Sequence, residues 1–107
     1  MELHEGVGYA KLVGTSFEFL MQKTSVIFGH TSVRFSTKVD VDYGDCPSVT
    51  RIHASLSFNT RSRRFELEVN ARAGVYINDQ LFCLGAPPVP LDSNDTIRFP
   101  CQVHANF

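Results

Sequence analysis

From Ile52 to Phe58 the apolar residues Ile52, Ala54, Leu56 and Phe58 stand at every second position, with His53, Ser55 and Ser57 between them. A period of two sends alternate side chains to opposite faces, so this run predicts a strand with one face buried. The same period returns along the chain in short runs between breakers, and no stretch sustains a 3.6-residue period. Such a pattern leads to an all-β sandwich of about ten or eleven short strands.

In chain order, Tyr9 to Val13 and Phe17 to Met21 are β-type runs separated by Gly14-Thr15-Ser16, which predicts an antiparallel hairpin. Ser25 to Phe28 reads as a third strand, closed by Gly29 and a polar loop Gly29-His30-Thr31-Ser32 rich in donors. Alternation resumes at Val33 and Phe35, and again at Val39-Asp40-Val41-Asp42, whose aspartates are expected to face water, before Gly44-Asp45-Cys46-Pro47 breaks the chain. Beyond the central strand, a turn at Asn59 to Arg63 leads into Phe65 to Val69, completing a second hairpin. Val75-Tyr76-Ile77 reads as core strand, followed by a turn at Asn78-Asp79 and the run Gln80 to Leu84. Val89 to Leu91, Thr96 to Phe99 and Gln102 to Phe107 complete the series.

A chain of 107 residues with 43% apolar content and nine Phe supplies one core. We therefore expect one domain over residues 1–107, with its core in 9–107. A net charge of -1 gives no general attraction to a polyanion, so nucleic acid is not an expected partner of this domain. No apolar run approaches the ~20 residues of a membrane span, and Met1 to Glu5 lacks the basic start and apolar stretch of a signal peptide. A soluble intracellular protein without a membrane partner is the expectation.

Cys46, Cys83 and Cys101 are widely spaced and contain no C-x-x-C pair, so they are expected to be buried or idle thiols. His4, His30, His53 and His104 show no metal-binding spacing, and neither metal nor cofactor is expected. Cys46, His30 and Asp45 contain the groups of a nucleophile, base and orienter, yet their local sequence has no nucleophile-elbow, P-loop or paired-carboxylate pattern. No catalytic residue is therefore assigned. Arg61, Arg63 and Arg64 lie at a hairpin tip beside Glu66 and Glu68, the pattern of a solvated turn, with a nucleic-acid or acidic-partner patch as the other reading.

Gly29-His30, Thr50-Arg51-Ile52-His53-Ala54, Gly74 to Asp79 and Leu91 to Ile97, in that order, resemble motifs of the forkhead-associated (FHA) domain, a phosphothreonine-reading β-sandwich. Gly29-His30 resembles its Gly-Arg motif, and Thr50-Arg51-Ile52-His53-Ala54 its Ser-Arg-x-His-Ala motif. Gly74-Val75-Tyr76-Ile77-Asn78-Asp79 resembles its Asn-Gly-x-x-Val-Asn-Gly segment without the leading Asn, and Leu91 to Ile97 its late leucine-turn-Asp-x-Ile strand. The likeness runs from Tyr9 to Phe107 and is closest to the domains of forkhead-type transcription factors. No forkhead helix domain follows, so a stand-alone domain or a fragment of a larger regulator is expected.

The resemblance implies a two-sheet, antiparallel and mixed β-sandwich of FHA/SMAD-like type. It also implies a monomeric protein-interaction module in the nucleus, with the cytoplasm as the other compartment left open. Its implied partner is a protein segment carrying phosphothreonine or an acidic side chain, met by His30, Thr31, Ser32, Thr50, Arg51, Arg72 and Ala73. Gly29 and His53 are expected to brace the loops. His53, which begins a buried strand, is assigned to bracing and not to ligand contact, whereas His30 reads either as an anion donor or as a surface residue.

Three contacts of the family can be followed onto this chain. A phosphate dianion favours the planar fork of an arginine. His30 stands where the family has that Arg, and an imidazole offers one donor towards a given anion. Thr50 keeps the hydroxyl of the family's serine, but Ala73 replaces an Asn that grips the ligand backbone. Losing two hydrogen bonds of ~1.5 to 3 kcal/mol each weakens binding by ~100-fold or more. Arg51 and Arg72, in loops expected to meet at the same end of the sandwich, are the candidates to compensate. The alternative is an FHA fold that has lost phosphothreonine binding and meets an unphosphorylated partner through another surface.

Overall fold

In a computed structural model of the chain, the described residues are 1–6, 9–14, 18–21, 24–31, 38–44, 46 and 48–100. Their regular structure is all strand: β1 Glu2–Gly6, β2 Tyr9–Val13, β3 Glu18–Met21, β4 Ser25–Gly29, β5 Val41–Asp42, β6 Ile52–Asn59, β7 Arg64–Val69, β8 Val75–Ile77, β9 Gln80–Phe82, β10 Val89–Leu91 and β11 Ile97–Arg98. The hydrogen-bonded orders are β1-β2-β3, β10-β7-β6-β4-β5 and β11-β8-β9. The first and third groups meet edge to edge. An antiparallel bridge pairs Glu2 with Thr96, and main-chain bonds run from Leu3 N–H to Asp95 O (3.1 Å) and from Ile97 N–H to Met1 O (2.6 Å). The result is two layers, and Leu3, Leu12, Val26, Phe28, Leu56, Leu67, Val75, Ile77, Ile97 and Phe99 from both enter one buried core.

The all-β sandwich therefore stands as expected, with antiparallel pairs throughout except for β4 and β5, which run parallel. Two-residue turns follow local chemistry. Asn78 and Asp79 both have positive φ (50° and 67°), the conformation that a right-twisted β8–β9 hairpin requires and that Asn and Asp tolerate.

Several expectations are corrected. A strand precedes the run Tyr9 to Val13 with which the sequence reading began: β1 pairs with β2 and brings the fully buried Leu3 into the core. Ile52 was expected on the buried face but is 49% exposed. On β4, Phe28 and the next residue Gly29 pair with Ala54 and Ile52, so His53 is the extra residue of a β-bulge. The bulge turns Ile52 outward and His53 inward. Asp40 is half-buried and not simply solvated, because its carboxylate accepts the Ile27 N–H (2.8 Å). Cys46 is disulfide-bonded, whereas Cys83 is a free thiol; sequence spacing does not limit which cysteines approach in a folded sandwich. The expected strand around Val33 and Phe35, the run Gln102 to Phe107, and the residues Ser32, Asp45 and Cys101 lie outside the described residues.

Candidate functional site

The loops after β4, before β6 and after β7 emerge at one end of the five-stranded layer, because β4 and β7 both run antiparallel to β6. Main-chain contacts draw them together. Gly29 pairs with Ile52, and the His30 N–H donates to the Arg51 carbonyl (3.2 Å). A Cβ on Gly29 would lie 1.9 Å from the Arg51 carbonyl oxygen, so only glycine permits this approach. On the other side of β6, the Asn70 N–H donates to the His53 carbonyl (2.8 Å).

His53 completes the assembly from below. Its fully buried ring accepts the Thr50 N–H at Nδ1 (3.1 Å) and donates from Nε2 to the Gly74 carbonyl (2.8 Å). One partner is an obligatory donor and the other an obligatory acceptor, which fixes a neutral ring protonated at Nε2. Burial pushes the imidazole pKa down, against the raising effect of the Gly74 bond. The ring also meets Phe99 edge-on (5.4 Å between centroids), and Phe99 stacks on Phe28 (5.1 Å) and against Tyr43 (4.8 Å). Burial raises the Tyr43 phenol pKa, so its hydroxyl stays neutral.

The His30 segment is held by Asp42. Its exposed carboxylate accepts the N–H groups of Gly44 (2.8 Å) and Thr31 (3.3 Å) through Oδ1. These bonds hold its pKa below the usual carboxylate range, the Gly44 N–H first, with further contributions from Thr31 and the charge of His30. After β7, the loop closes through bonds from the Gly74 and Leu84 N–H groups to the Ala71 carbonyl (both 3.1 Å). Gly74 has φ of 78° and a virtual Cβ 2.5 Å from the Phe82 carbonyl oxygen, so a side chain there is excluded.

The structure thus brings His30, Thr31, Thr50, Arg51, Arg72 and Ala73 to one end of the sandwich. His30 is half-buried and the other five are exposed, while Gly29 and His53 lie beneath them. Ser32 is outside the described residues. The surface offers a hydroxyl, two guanidinium groups and an imidazole, the chemistry of an anion-receiving face. Asp42, Tyr43 and Phe99 were not singled out from sequence. The Asp42-Tyr43-Gly44 triplet carried a signal, since an aspartate two residues before a glycine with φ of 57° is a side-chain-capped turn. Arg61 and Arg63 lie at the opposite end, exposed on the β6–β7 turn, and Arg64 pairs with Asp92 (2.9 Å). Among the described residues no group of three or more His, Cys, Asp or Glu is placed to hold a metal ion, and no helix is long and apolar enough to cross a membrane.

A model of the FHA domain matches residues 26–100. The chain is 37% identical over 92 residues to the transcriptional activator FHA1 of Nicotiana tabacum, covering 85% of this chain and 44% of that protein. It is 38% identical over 93 residues to the FHA domain-containing protein FHA1 of Arabidopsis thaliana, covering 86% and 37%. A third relative is the pre-rRNA-processing protein FHL1 of Saccharomyces cerevisiae, 36% identical over 91 residues, covering 84% and 10%. The chain spans less than half the length of each of these relatives.

Proposed function

Because the chain belongs to the FHA domain family, a family of protein-interaction modules, we propose that it binds a partner protein's segment through the loop end built over His53. The segment carries a phosphothreonine or an acidic side chain. The single observation that carries this reading is the pair of bonds from His53 to Thr50 and Gly74, which ties two loops together beneath Thr50, Arg51 and Arg72. Loops held by buried main-chain and ring bonds lose little freedom on binding, so the exposed donors are presented ready for an anion. Thr50 donates its hydroxyl, Arg51 and Arg72 supply charge-assisted donors, and protonated His30 adds one more. The domain acts as a single copy, in the nucleus, in a regulatory role akin to that in the names of its relatives.

The test is titration of the domain with three degenerate peptide libraries that differ only at the central residue: phosphothreonine, glutamate or threonine. It is run at about pH 6 and pH 7.5, on either side of the ordinary histidine pKa. The expected result is dissociation constants near ~1 to 100 μM for the anionic libraries and at least ~10-fold weaker binding of the threonine library. Three indistinguishable libraries would overturn the proposal and move the search to an unphosphorylated partner on another surface.

A further inference from the structure

Resting on that reading of the loop end as an anion site, we propose that Asp42 is a specificity-determining residue. Its carboxylate disfavours a dianionic phosphoryl group beside His30 and Thr31, and so shifts the site towards singly charged acidic side chains of the partner segment. β5 runs parallel to β4 with Asp42 directly opposite Gly29, which places the carboxylate alongside the residues that follow Gly29. Its Oδ1 accepts the Thr31 N–H (3.3 Å) and the Gly44 N–H (2.8 Å), so the main-chain donor at Thr31 is already taken by a resident anion. An incoming anion meets an occupied donor there and a like charge behind it.

The charge persists at neutral pH, because the bonds from Gly44 and Thr31 favour the ionised form and His30 is near enough to add to that preference. Asp42 is exposed, so its field extends into the solvent through which a ligand arrives. Coulomb repulsion scales with the ligand's charge, and a phosphoryl dianion therefore feels about twice what a carboxylate feels at the same place. Arg51 and Arg72 attract both ligands, and Asp42 subtracts from the advantage that they give the dianion. This subtraction falls on the side of the site where His30 already replaces a stronger donor.

Asp42→Asn removes the charge and keeps an oxygen that accepts the same two N–H groups, so loop position and charge are separated. The measured quantity is the ratio of phosphothreonine-library affinity to glutamate-library affinity, in the unaltered domain and in Asp42→Asn. Glu68→Gln, an exposed carboxylate on β7, is the control for an equal change in net charge. In about 20 mM salt the ratio is expected to rise roughly three- to tenfold in Asp42→Asn, to shrink towards the unaltered value in about 0.5 M salt, and to stay constant in Glu68→Gln. A ratio unchanged in Asp42→Asn, or moved equally by Glu68→Gln, would overturn the role of Asp42 while leaving the loop site standing. Failure of the unaltered domain and Asp42→Asn to bind either library would instead overturn the loop reading, and this role with it.

Discussion

His53 occupies a position where chemistry and packing leave few substitutes. It is buried, neutral, and bonded at both ring nitrogens, to the Thr50 amide and the Gly74 carbonyl. Truncation to alanine leaves both groups unpaired beside a cavity, and His53→Ala is expected to cost about 3 kcal/mol in denaturant unfolding. The folded pKa of His53 is depressed, so between that value and the ordinary ~6.5 the unfolded chain binds the proton that the folded chain refuses. Its contribution is therefore complete above ~6.5 and is lost as pH falls below it. Thermal midpoints measured across that range should decline on acidification, because a protonated Nδ1 no longer accepts the Thr50 N–H. Asp42, with its pKa lowered, acts in a separate window below the ordinary carboxylate range. Gly29 is constrained differently. A methyl group would sit 1.9 Å from the Arg51 main-chain oxygen, which itself accepts the His30 N–H, so Gly29→Ala is expected to destabilise by about 3 kcal/mol and to loosen the His30 segment.

At the scale of elements, the bulge in β6 makes the site. Were the β4–β6 pairing regular through this point, alternation would send Ile52 inward and His53 outward, and the two loops would lose their common anchor. The alternation of Ile52, Ala54, Leu56 and Phe58 was legible from sequence, and so was the strand. The bulge was not, since it arises from the close approach of Gly29 to Arg51 across strands. Likewise Asp40 and Asp42 alternated as solvent-facing residues should, yet their carboxylates accept main-chain N–H groups that only the parallel β4–β5 pairing brings near. In the structure His30, Thr50, Arg51, Arg72 and Ala73 lie in three loops. Their convergence, however, depends on contacts between residues distant in sequence. For the loops together, His30→Arg combined with Ala73→Asn is expected to raise phosphopeptide affinity by roughly tenfold or more, as measured by calorimetric titration. An unchanged affinity would mean that the two positions do not face the ligand.

At the scale of the molecule, the two layers share one core, and β1 closes the sandwich by joining β2 on one side and the Thr96 segment on the other. This strand was invisible to pattern reading because Glu2-Leu3-His4-Glu5 contains one large apolar residue, too few to display a period. Leu3 is nonetheless fully buried, and Leu3→Ala is expected to cost about 2 to 4 kcal/mol in denaturant unfolding with little change in where a ligand binds. The sandwich also places the arginine-bearing β6–β7 turn at the end away from the paired loops, which gives the central claim a spatial test. The most direct measurement is a residue-resolved amide chemical-shift titration of the domain with the anionic peptide libraries. The account predicts that the largest shifts cluster at His30, Thr31, Thr50, Arg51, Arg72 and Ala73, with Arg61 and Arg63 unmoved. Shifts centred on the β6–β7 turn, or spread over an outer sheet face with those loops silent, would contradict it.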